Sequence, residues 1–404
     1  MGKRTCLGGK ETACVVLSFV AALLATHAAK PEWLTGGDKD LRAGEYRISR
    51  AHTHKNLAIF LIHGKDRSQA KTYLTLQEAL EKKSAIVHET NSVNELEVEN
   101  TSKDAEVFVQ SGDILKGGKQ DRIIAFDLIL PPKSGKVSVT AFCVDPQRWK
   151  QRGQEAVEEF RVSTAQLPTK PLKLIGGGYG QLGGNMGRGA AGQSGGLGAL
   201  GLGGGFGVGG LGALGAGGGQ FGQGGNFGQL GGGNLGQQGG VWNEVAAAQK
   251  KLRKNSGSKD TDSSLQLTLE DKKVQEAVED YVKELAPIVE REIDVVGFAF
   301  AINGKVNSAE VYASSEMFTK LWPKLLKAAA AEALAEYHKG DDVPAVTAKN
   351  VKAHLVDAEK GEEVKKDISE RTRALMRETE KNILLETRDR EEKGEWVHRT
   401  YLTK

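Results

Sequence analysis

The sequence predicts an α+β fold, mostly antiparallel β-sheet or sandwich, with helices concentrated in the C-terminal half and a disordered glycine-rich insertion between. Three observations predict it. Before residue 175, short apolar segments alternate with turn residues, as in antiparallel sheets. After residue 241, longer stretches place apolar residues at helical spacing. Between them, 34 of the 65 residues of the tract 176–240 are glycine, and such a tract buries too little apolar surface to offset its backbone entropy.

The first 29 residues have the pattern of an export signal. Lys3, Arg4 and Lys10 precede the uncharged run 13–25, and small residues follow it, as in secretory signal peptides. The run is shorter than the roughly 20 residues of a membrane span. We therefore expect a periplasmic or secreted protein without a membrane span after signal removal, with a retained N-terminal anchor as the alternative.

These boundaries predict one domain in two halves. The segments are a signal peptide (1–29), an N-terminal β-rich half (30–175), the glycine-rich insertion (176–240) and a C-terminal α+β half (241–404).

Charge and cysteine content restrict the function. The net charge of the whole chain is +3, and the part after residue 29 is nearly neutral, which argues against nucleic acid as a partner. Removal of the signal leaves Cys143 as the last cysteine, so no disulfide is expected within the mature chain. No metal site and no cofactor are predicted, and the oligomeric state stays open.

The N-terminal half reads mainly as strands. A short helix over 75–83 begins with a capping box, since Thr75 is followed three residues later by Glu78. The predicted strands are 57–62, 85–89, 96–100, 106–110, 122–130 and 136–144.

The C-terminal half mixes helices and strands. Asn303-Gly304 between two apolar runs predicts a hairpin of 295–302 and 305–312. The predicted helices are 241–254, 269–292 with an end or kink near Pro287, and a long one from a Ser314 or Ser315 cap to about Tyr337. Segments 351–359 and two runs around 393–394 are predicted as strands, and 371–390 is either helix or strand.

Two polar blocks stand at the ends of the predicted hairpin that joins 122–130 to 136–144. The first runs from Ser111 to Arg122 and the second from Cys143 to Trp149. Because the ends of a hairpin meet, we expect the blocks to form one polar pocket. The predicted ligand-binding residues are Asp113, Gly117, Gly118, Lys119, Gln120, Arg122, Asp145, Arg148 and Trp149.

Three functions are compatible with this pocket. The first is binding of a small anionic, nucleotide-derived or sugar-derived ligand, with glycine N–H groups and the charges of Lys119 and Arg122 as its contacts. The second is a hydrolase in which Asp113 or Asp145 acts as base on a phosphoryl or glycosidic bond. The third is a structural module of the envelope or a secreted assembly, in which those carboxylates pair with arginines.

Other signatures of catalysis are missing from the sequence. The chain contains no zinc motif, no Walker loop and no Ser-His-Asp arrangement of the known orders. The match to G-x-G-x-x-G at 178–183 lies in the glycine tract with no helix pattern after it, so it does not predict a nucleotide site.

The polar blocks and several flanking motifs resemble one family, the ARG and Rhodanese-Phosphatase-superfamily-associated protein domain. The motifs are Tyr73-Leu-Thr-Leu-Gln-Glu-Ala79, Lys119-Gln-Asp-Arg122, Cys143-Val-Asp-Pro-Gln-Arg-Trp149, Val241-Trp-Asn-Glu-Val245, Gly297-Phe-Ala-Phe-Ala-Ile-Asn-Gly304 and Phe318-x-x-Leu-Trp322. The resemblance implies that the glycine tract is an insertion within one domain. It implies no reaction, because the family name records neighbouring genes. The chain departs from the family pattern at Asp113, Asp121 and Asp145, where Glu, Asn and Glu are common.

Overall fold

The computed structural model describes ten parts of the chain: residues 42–43, 45–67, 72–90, 92–145, 159–176, 182, 233–259, 264–340, 343–391 and 395–404. The described elements belong to the compact unit Asp40–Lys404. The predicted signal peptide, most of the glycine tract, Arg148 and Trp149 lie outside the described residues.

The regular elements are numbered here in chain order. The strands are β1 Arg42–Ala43, β2 Tyr46–Ile48, β3 His52–His54, β4 Leu57–His63, β5 Leu74–Thr75, β6 Ala85–Glu89, β7 Glu95–Asn100, β8 Val107–Val109, β9 Asp113–Lys116, β10 Arg122–Ile124, β11 Leu128–Leu130, β12 Gly135–Cys143, β13 Arg161–Gln166, β14 Val295–Ile302, β15 Lys305–Tyr312, β16 Glu362–Asp367, β17 Thr372–Glu378, β18 Asn382–Asp389 and β19 Trp396–Thr403. The helices are α1 Leu76–Glu81, α2 Lys170–Gly176, α3 Gly233–Ser256, α4 Leu265–Glu270, α5 Lys272–Leu285, α6 Ser315–Ala335 and α7 Ala348–Ala358, and a 3-10 turn follows α5 at Ala286–Ile288.

Strands from before and after the glycine tract share one ten-stranded sheet. Its order is β1-β2-β4-β14-β15-β19-β18-β17-β16, with β3 also paired to β4. The two parts of the chain meet at β4 and β14, where Leu61 lies opposite Phe298. All pairings in this sheet among the described strands are antiparallel.

The remaining N-terminal strands form a smaller β-layer. One sheet has the order β13-β9-β10-β12-β7-β6 and another the order β11-β8-β5. A separate apolar core draws on both sheets, with Leu96 and Val139 from the first and Val107 and Leu128 from the second. Burial of these side chains on facing sheets is the packing of a β-sandwich.

Helices cover both faces of the ten-stranded sheet. On one face α6 packs on β14, where the rings of Phe298 and Trp322 meet edge to face with centroids 5.4 Å apart. On the other face, Val351 and Leu355 of α7 enter a core with Val311 of β15. Both faces are therefore apolar, and polar side chains within this sheet need buried partners.

Several local predictions are confirmed. Thr75 caps α1, and the reciprocal bond from its backbone to Glu78 completes the capping box. Ser314 caps α6. At the hairpin turn, Asn303 and Gly304 have φ of 52° and 75°, as a type I′ turn requires.

Three predicted elements are wrong. The strand 122–130 is two strands in different sheets, β10 and β11, because the chain turns away at Asp127. The segment 351–359 is helix α7, since Val351, Leu355 and Ala358 recur at helical spacing and are buried. Helix α3 begins at Gly233, inside the tract that was predicted to be disordered to residue 240.

Candidate functional site

The two polar blocks meet where β10 pairs with β12, as the sequence predicts. Arg122 lies opposite Cys143, and the backbone N–H of Val144 donates to the carbonyl oxygen of Asp121 over 3.1 Å. The blocks therefore converge in space.

The anion-binding groups of the first block already hold a carboxylate of this chain. Glu89, from β6, accepts the backbone N–H of Lys119 at 2.7 Å and Nη2 of Arg122 at 3.2 Å. The guanidinium of Arg122 is fully buried and also donates to the carbonyl oxygens of Val93 and Gln120. Of the predicted ligand contacts, Arg122 therefore binds Glu89 through its guanidinium and Lys119 through its backbone N–H.

The glycines of this block serve close packing. Gly118 has φ +59°, and a Cβ there would collide with Glu89 and with the ring of Phe160. Gly117 has φ +118°, and its N–H donates to Asp121 Oδ1 at 3.2 Å. Atoms of the protein therefore occupy the space beside Gly117 and Gly118 in which the sequence predicted a ligand.

The second block is described as far as Asp145. Gln120 and Asp145 are both buried. Cys143 is buried too, and burial raises the pKa of its thiol, as expected for a packing residue rather than a nucleophile. Its backbone is held by Gln238 of α3, which bonds both the N–H (3.0 Å) and the carbonyl oxygen (2.8 Å).

Asp113 lies at the other end of β9 and does not face Arg122. Its Oδ1 accepts Nζ of Lys324 at 2.6 Å and Nε2 of Gln166 at 2.9 Å. The carboxylate is 2% exposed. Its buried cation is therefore Lys324 of α6 and not one of the arginines near it in sequence.

A second polar cluster, which the sequence interpretation missed, lies between the ten-stranded sheet and the N-terminal β-layer. The imidazole of His398 contacts Asp127 Oδ2 through Nδ1 at 2.7 Å and Glu310 Oε2 through Nε2 at 2.9 Å. Thr387 and Thr400 add hydroxyl bonds to the same two carboxylates. We call Asp127, His398 and Glu310 the charged triad.

Strand register explains the assembly of the triad. Side chains two residues apart on a strand share a face, and β15 lies beside β19 with Glu310 opposite Thr400 and Tyr312 opposite His398. The rings of Tyr312 and His398 stack with centroids 4.4 Å apart. Asp127 reaches this face from the N-terminal layer, at the break between β10 and β11.

The charges of His398 and Asp127 shift each other's pKa toward the ionised form. Burial by itself lowers the pKa of His398, but Asp127 and Glu310 outweigh it and raise the pKa to about 10. Burial alone raises the pKa of Asp127, but the charge of His398 and three donated hydrogen bonds outweigh it and lower that pKa below its ordinary value. His398 is therefore an imidazolium that donates from both nitrogens.

A cavity of about 30 Å³ adjoins the triad. Two acceptor atoms here have no protein partner among the described residues. Gln110 is buried and its Oε1 accepts no bond, and every hydrogen bond to Glu310 from the described residues goes to Oε2 and none to Oε1. The lining comprises Gln110, Ser111, Gly112, Gln166, Leu167, Lys173, Glu310, Leu385, His398, Thr400 and Leu402.

A second cavity, of about 20 Å³, lies on the other side of Ser111, Leu385 and Thr400, which line both. Asp127 and Thr387 border it. The triad therefore runs from one cavity to the next.

One signal in the sequence could have indicated this cluster. Asp127 interrupts the otherwise apolar run 123–130, and a carboxylate in such a run needs a buried partner. No comparable signal marks Glu310 or His398, because their pairing depends on strand order.

Two further features concern metal ions and membranes. No cluster of three or more His, Cys, Asp and Glu side chains suited to a metal ion occurs in the described ranges. Nor does any helix there have the length and apolarity needed to cross a membrane.

Comparison with known proteins identifies the family of the chain. A family model described as "ARG and Rhodanese-Phosphatase-superfamily-associated Protein domain" matches residues 45–172 and 230–402. The unmatched residues between these ranges are most of the glycine tract. No curated protein and no solved structure matches the chain.

Proposed function

The chain belongs to the ARG and Rhodanese-Phosphatase-superfamily-associated protein domain family, and from this premise we propose that it binds the hydroxyl-bearing end of a small sugar-like ligand beside the charged triad. One observation carries the proposal: Glu310 and Gln110 line the same cavity, Gln110 Oε1 is buried without a hydrogen-bond partner, and the described residues bond Glu310 only at Oε2. Buried acceptors are costly unless a donor reaches them.

The charges around the cavity favour a neutral ligand over an anionic one. The charged residues of the lining are Glu310, Lys173 and His398, and the two cations pair with Glu332 and Asp127. Counted with these partners, the cluster has three carboxylates and two cations. The excess negative charge disfavours a phosphate or carboxylate. A hydroxyl group is neutral, donates to Glu310 or Gln110, and accepts from the ammonium of Lys173, which lines the cavity.

The volume limits how much of a ligand enters. A water-sized group needs roughly 10–15 Å³ on this measure, so the cavity of about 30 Å³ has room for one or two such groups. We infer that a hydroxymethyl group or one edge of a sugar ring enters, while the remainder of the ligand stays outside.

A thermal-shift and calorimetry screen tests the proposal, with ribose, glucose, glycerol and inorganic phosphate as probes. We expect a polyol or sugar to raise the melting temperature and phosphate to have no effect. Glu310→Gln should abolish the sugar response, while the matched exposed variant Glu97→Gln should keep it. Saturable phosphate binding, or sugar binding unaffected in Glu310→Gln, would overturn the proposal.

A hydrolase is the second candidate, favoured by the orientation of Glu310. Its Oε2 is held by His398 and Thr400, and in this candidate function its Oε1 takes a proton from a water in the cavity that Glu310 lines. Asp113 is less suited to this role because, unlike Glu310, it does not line the cavity. Turnover of a sugar-derived substrate should then disappear in Glu310→Gln and persist in Asp113→Asn; the reverse pattern would restore Asp113 as the base.

We further propose that residues 1–29 direct export, on the strength of their charge and apolar pattern. Cell fractionation with N-terminal sequencing of the recovered protein tests this. A cytoplasmic protein that retains residue 1 would refute it.

A further inference from the structure

We infer that β16 is a self-complementary sheet edge through which two copies of this chain pair. The strand ends the ten-stranded sheet, pairs with β17 on one side, and has no strand among the described residues on the other. Five of its six residues are exposed, and Val364 is half-buried. An edge of this kind presents unpaired backbone N–H and carbonyl groups to another strand.

The charges of β16 have opposite signs on the two sides of Val364. Two acids, Glu362 and Glu363, precede it, and two lysines, Lys365 and Lys366, follow it. An antiparallel pair related by a two-fold axis at Val364 sets Glu362 opposite Lys366 of the second copy, and Glu363 opposite Lys365. The two Val364 side chains meet at the centre. Four pairs of opposite charge therefore form along one short contact.

The neighbouring registers are disfavoured. In an edge strand, every second residue directs its backbone N–H and carbonyl groups toward the open edge, and such residues must lie opposite each other in the pair. The two-fold axis between the two copies can therefore shift along β16 only by whole residues. A shift to Glu363 places that residue against itself, and a shift to Lys365 does the same with two lysines. Like charges directly opposite one another are destabilising, so the sequence selects the pairing centred on Val364.

In the single chain, the charged side chains of β16 already lie close to the positions that they take in the pair. Lys365 contacts Glu363 of its own strand at 2.5 Å, and Arg377 contacts the same carboxylate at 2.8 Å. When two copies pair, Lys365 contacts Glu363 of the second copy in place of Glu363 of its own strand. Lys366 lies over the ring of Phe126, 5.4 Å from its centroid, and is exposed enough to reach outward.

The dimer should be weak and sensitive to salt. Exposed ion pairs contribute little individually, and the contact is short compared with a stable interface. The competing explanation is that edge lysines prevent association; it predicts a monomer under all conditions.

Sedimentation analysis of the purified full chain separates the two explanations. We expect a concentration-dependent dimer at about 50 mM salt that weakens on the order of tenfold at about 500 mM, where the Debye length falls from roughly 14 Å to roughly 4 Å. A chain that is monomeric at both salt concentrations would overturn the inference.

Charge-reversed partners provide the specific test. Lys365→Glu with Lys366→Glu makes one strand wholly acidic, and Glu362→Lys with Glu363→Lys makes another largely basic. Each should be monomeric alone, and their mixture should form a heterodimer. The control Lys103→Glu with Lys349→Glu changes the net charge by as much as Lys365→Glu with Lys366→Glu, but at exposed positions outside β16. It should dimerise as the wild type does. Equal dimerisation of every variant, with melting curves showing all of them folded, would contradict the assigned surface.

Discussion

At the scale of residues, the contacts of Lys119 and Arg122 show which part of the local chemistry can be predicted from the sequence. The charges of Lys119 and Arg122 were predicted to contact an anionic ligand; in the structure the backbone N–H of Lys119 and the guanidinium of Arg122 donate to a carboxylate of the same chain. The anion is Glu89, which lies 33 residues before Arg122 in the chain and reaches it through the pairing of β6, β7 and β12. The sequence could indicate the donors but not which carboxylate reaches them.

Removal of that carboxylate should destabilise the protein. In Glu89→Ala the fully buried Arg122 loses the carboxylate that accepts from its Nη2, and removal of one partner of a buried ion pair is costly. We expect a loss of about 2–4 kcal/mol in the free energy of unfolding, measured in urea.

Glu97→Ala is the matched control for this experiment. Glu97 pairs with Lys136 over 3.4 Å, and both side chains are exposed, so a loss below about 1 kcal/mol is expected. Equal losses in the two variants would show that Glu89 is not a counter-ion of Arg122.

The charged triad should make the free energy of unfolding decrease as the pH becomes alkaline. The pKa of His398 is raised to about 10 in the folded state, against about 6.5 when unfolded. Its stabilising contribution is therefore complete below about pH 6.5 and is lost as pH rises through about 10.

Urea unfolding between these pH values, on wild type and on His398→Gln, checks the prediction. Because lysine, tyrosine and cysteine titrate in both proteins, the difference between them isolates His398. The stability gap should narrow steadily with rising pH. A constant gap would mean that His398 does not carry its charge in the fold.

At the scale of elements, the sequence predicts local periodicity and turn chemistry but not changes of partner. The Asn-Gly hairpin and the capped helices α1 and α6 follow from neighbouring residues. The break between β10 and β11 does not, because Asp127 leaves the strand to bind Ser111, Thr387 and His398. These partners come from distant parts of the chain.

Gly304→Ala should test how tightly the hairpin turn is enclosed. The position has φ +75°, and an added Cβ would lie 2.6 Å from the carbonyl oxygen of Pro344. Gly135 has φ +64° with nothing within 4 Å of its Cβ position, so Gly135→Ala should cost only the backbone term of about 1 kcal/mol.

Thermal unfolding of both glycine variants measures the difference. Gly304→Ala should be the less stable of the two, because it adds a steric collision to the same backbone strain. Equal melting temperatures would show that the turn moves away from Pro344 at no cost.

At the scale of the whole molecule, the glycine tract divides into parts with different roles. Helix α3 starts within it, Gln238 bonds the backbone of Cys143, and Leu182 is buried against the main core. The composition of the tract alone predicts a linker from 176 to 240, yet its ends contribute to the packed structure.

Two deletions should therefore behave differently. Replacement of residues 184–232 by a short linker should leave a cooperative melting transition, since the composition there predicts a spacer. Removal of the whole tract 176–240 should lower the melting temperature, because it takes Leu182 and Gln238 away. Calorimetry distinguishes the outcomes, and equal stability of both variants would contradict a structural role for the ends.

The sequence by itself determined the α+β class, most strand positions, the hairpin turn and the family, since these follow from periodicity, turn residues and short motifs. Only the tertiary structure decided that Glu89 binds Arg122, that Lys324 neutralises Asp113, and that Asp127, Glu310 and His398 meet. The physical reason is that burial forces each charge to find a partner, and strand order, which no local pattern encodes, determines which partner comes within reach.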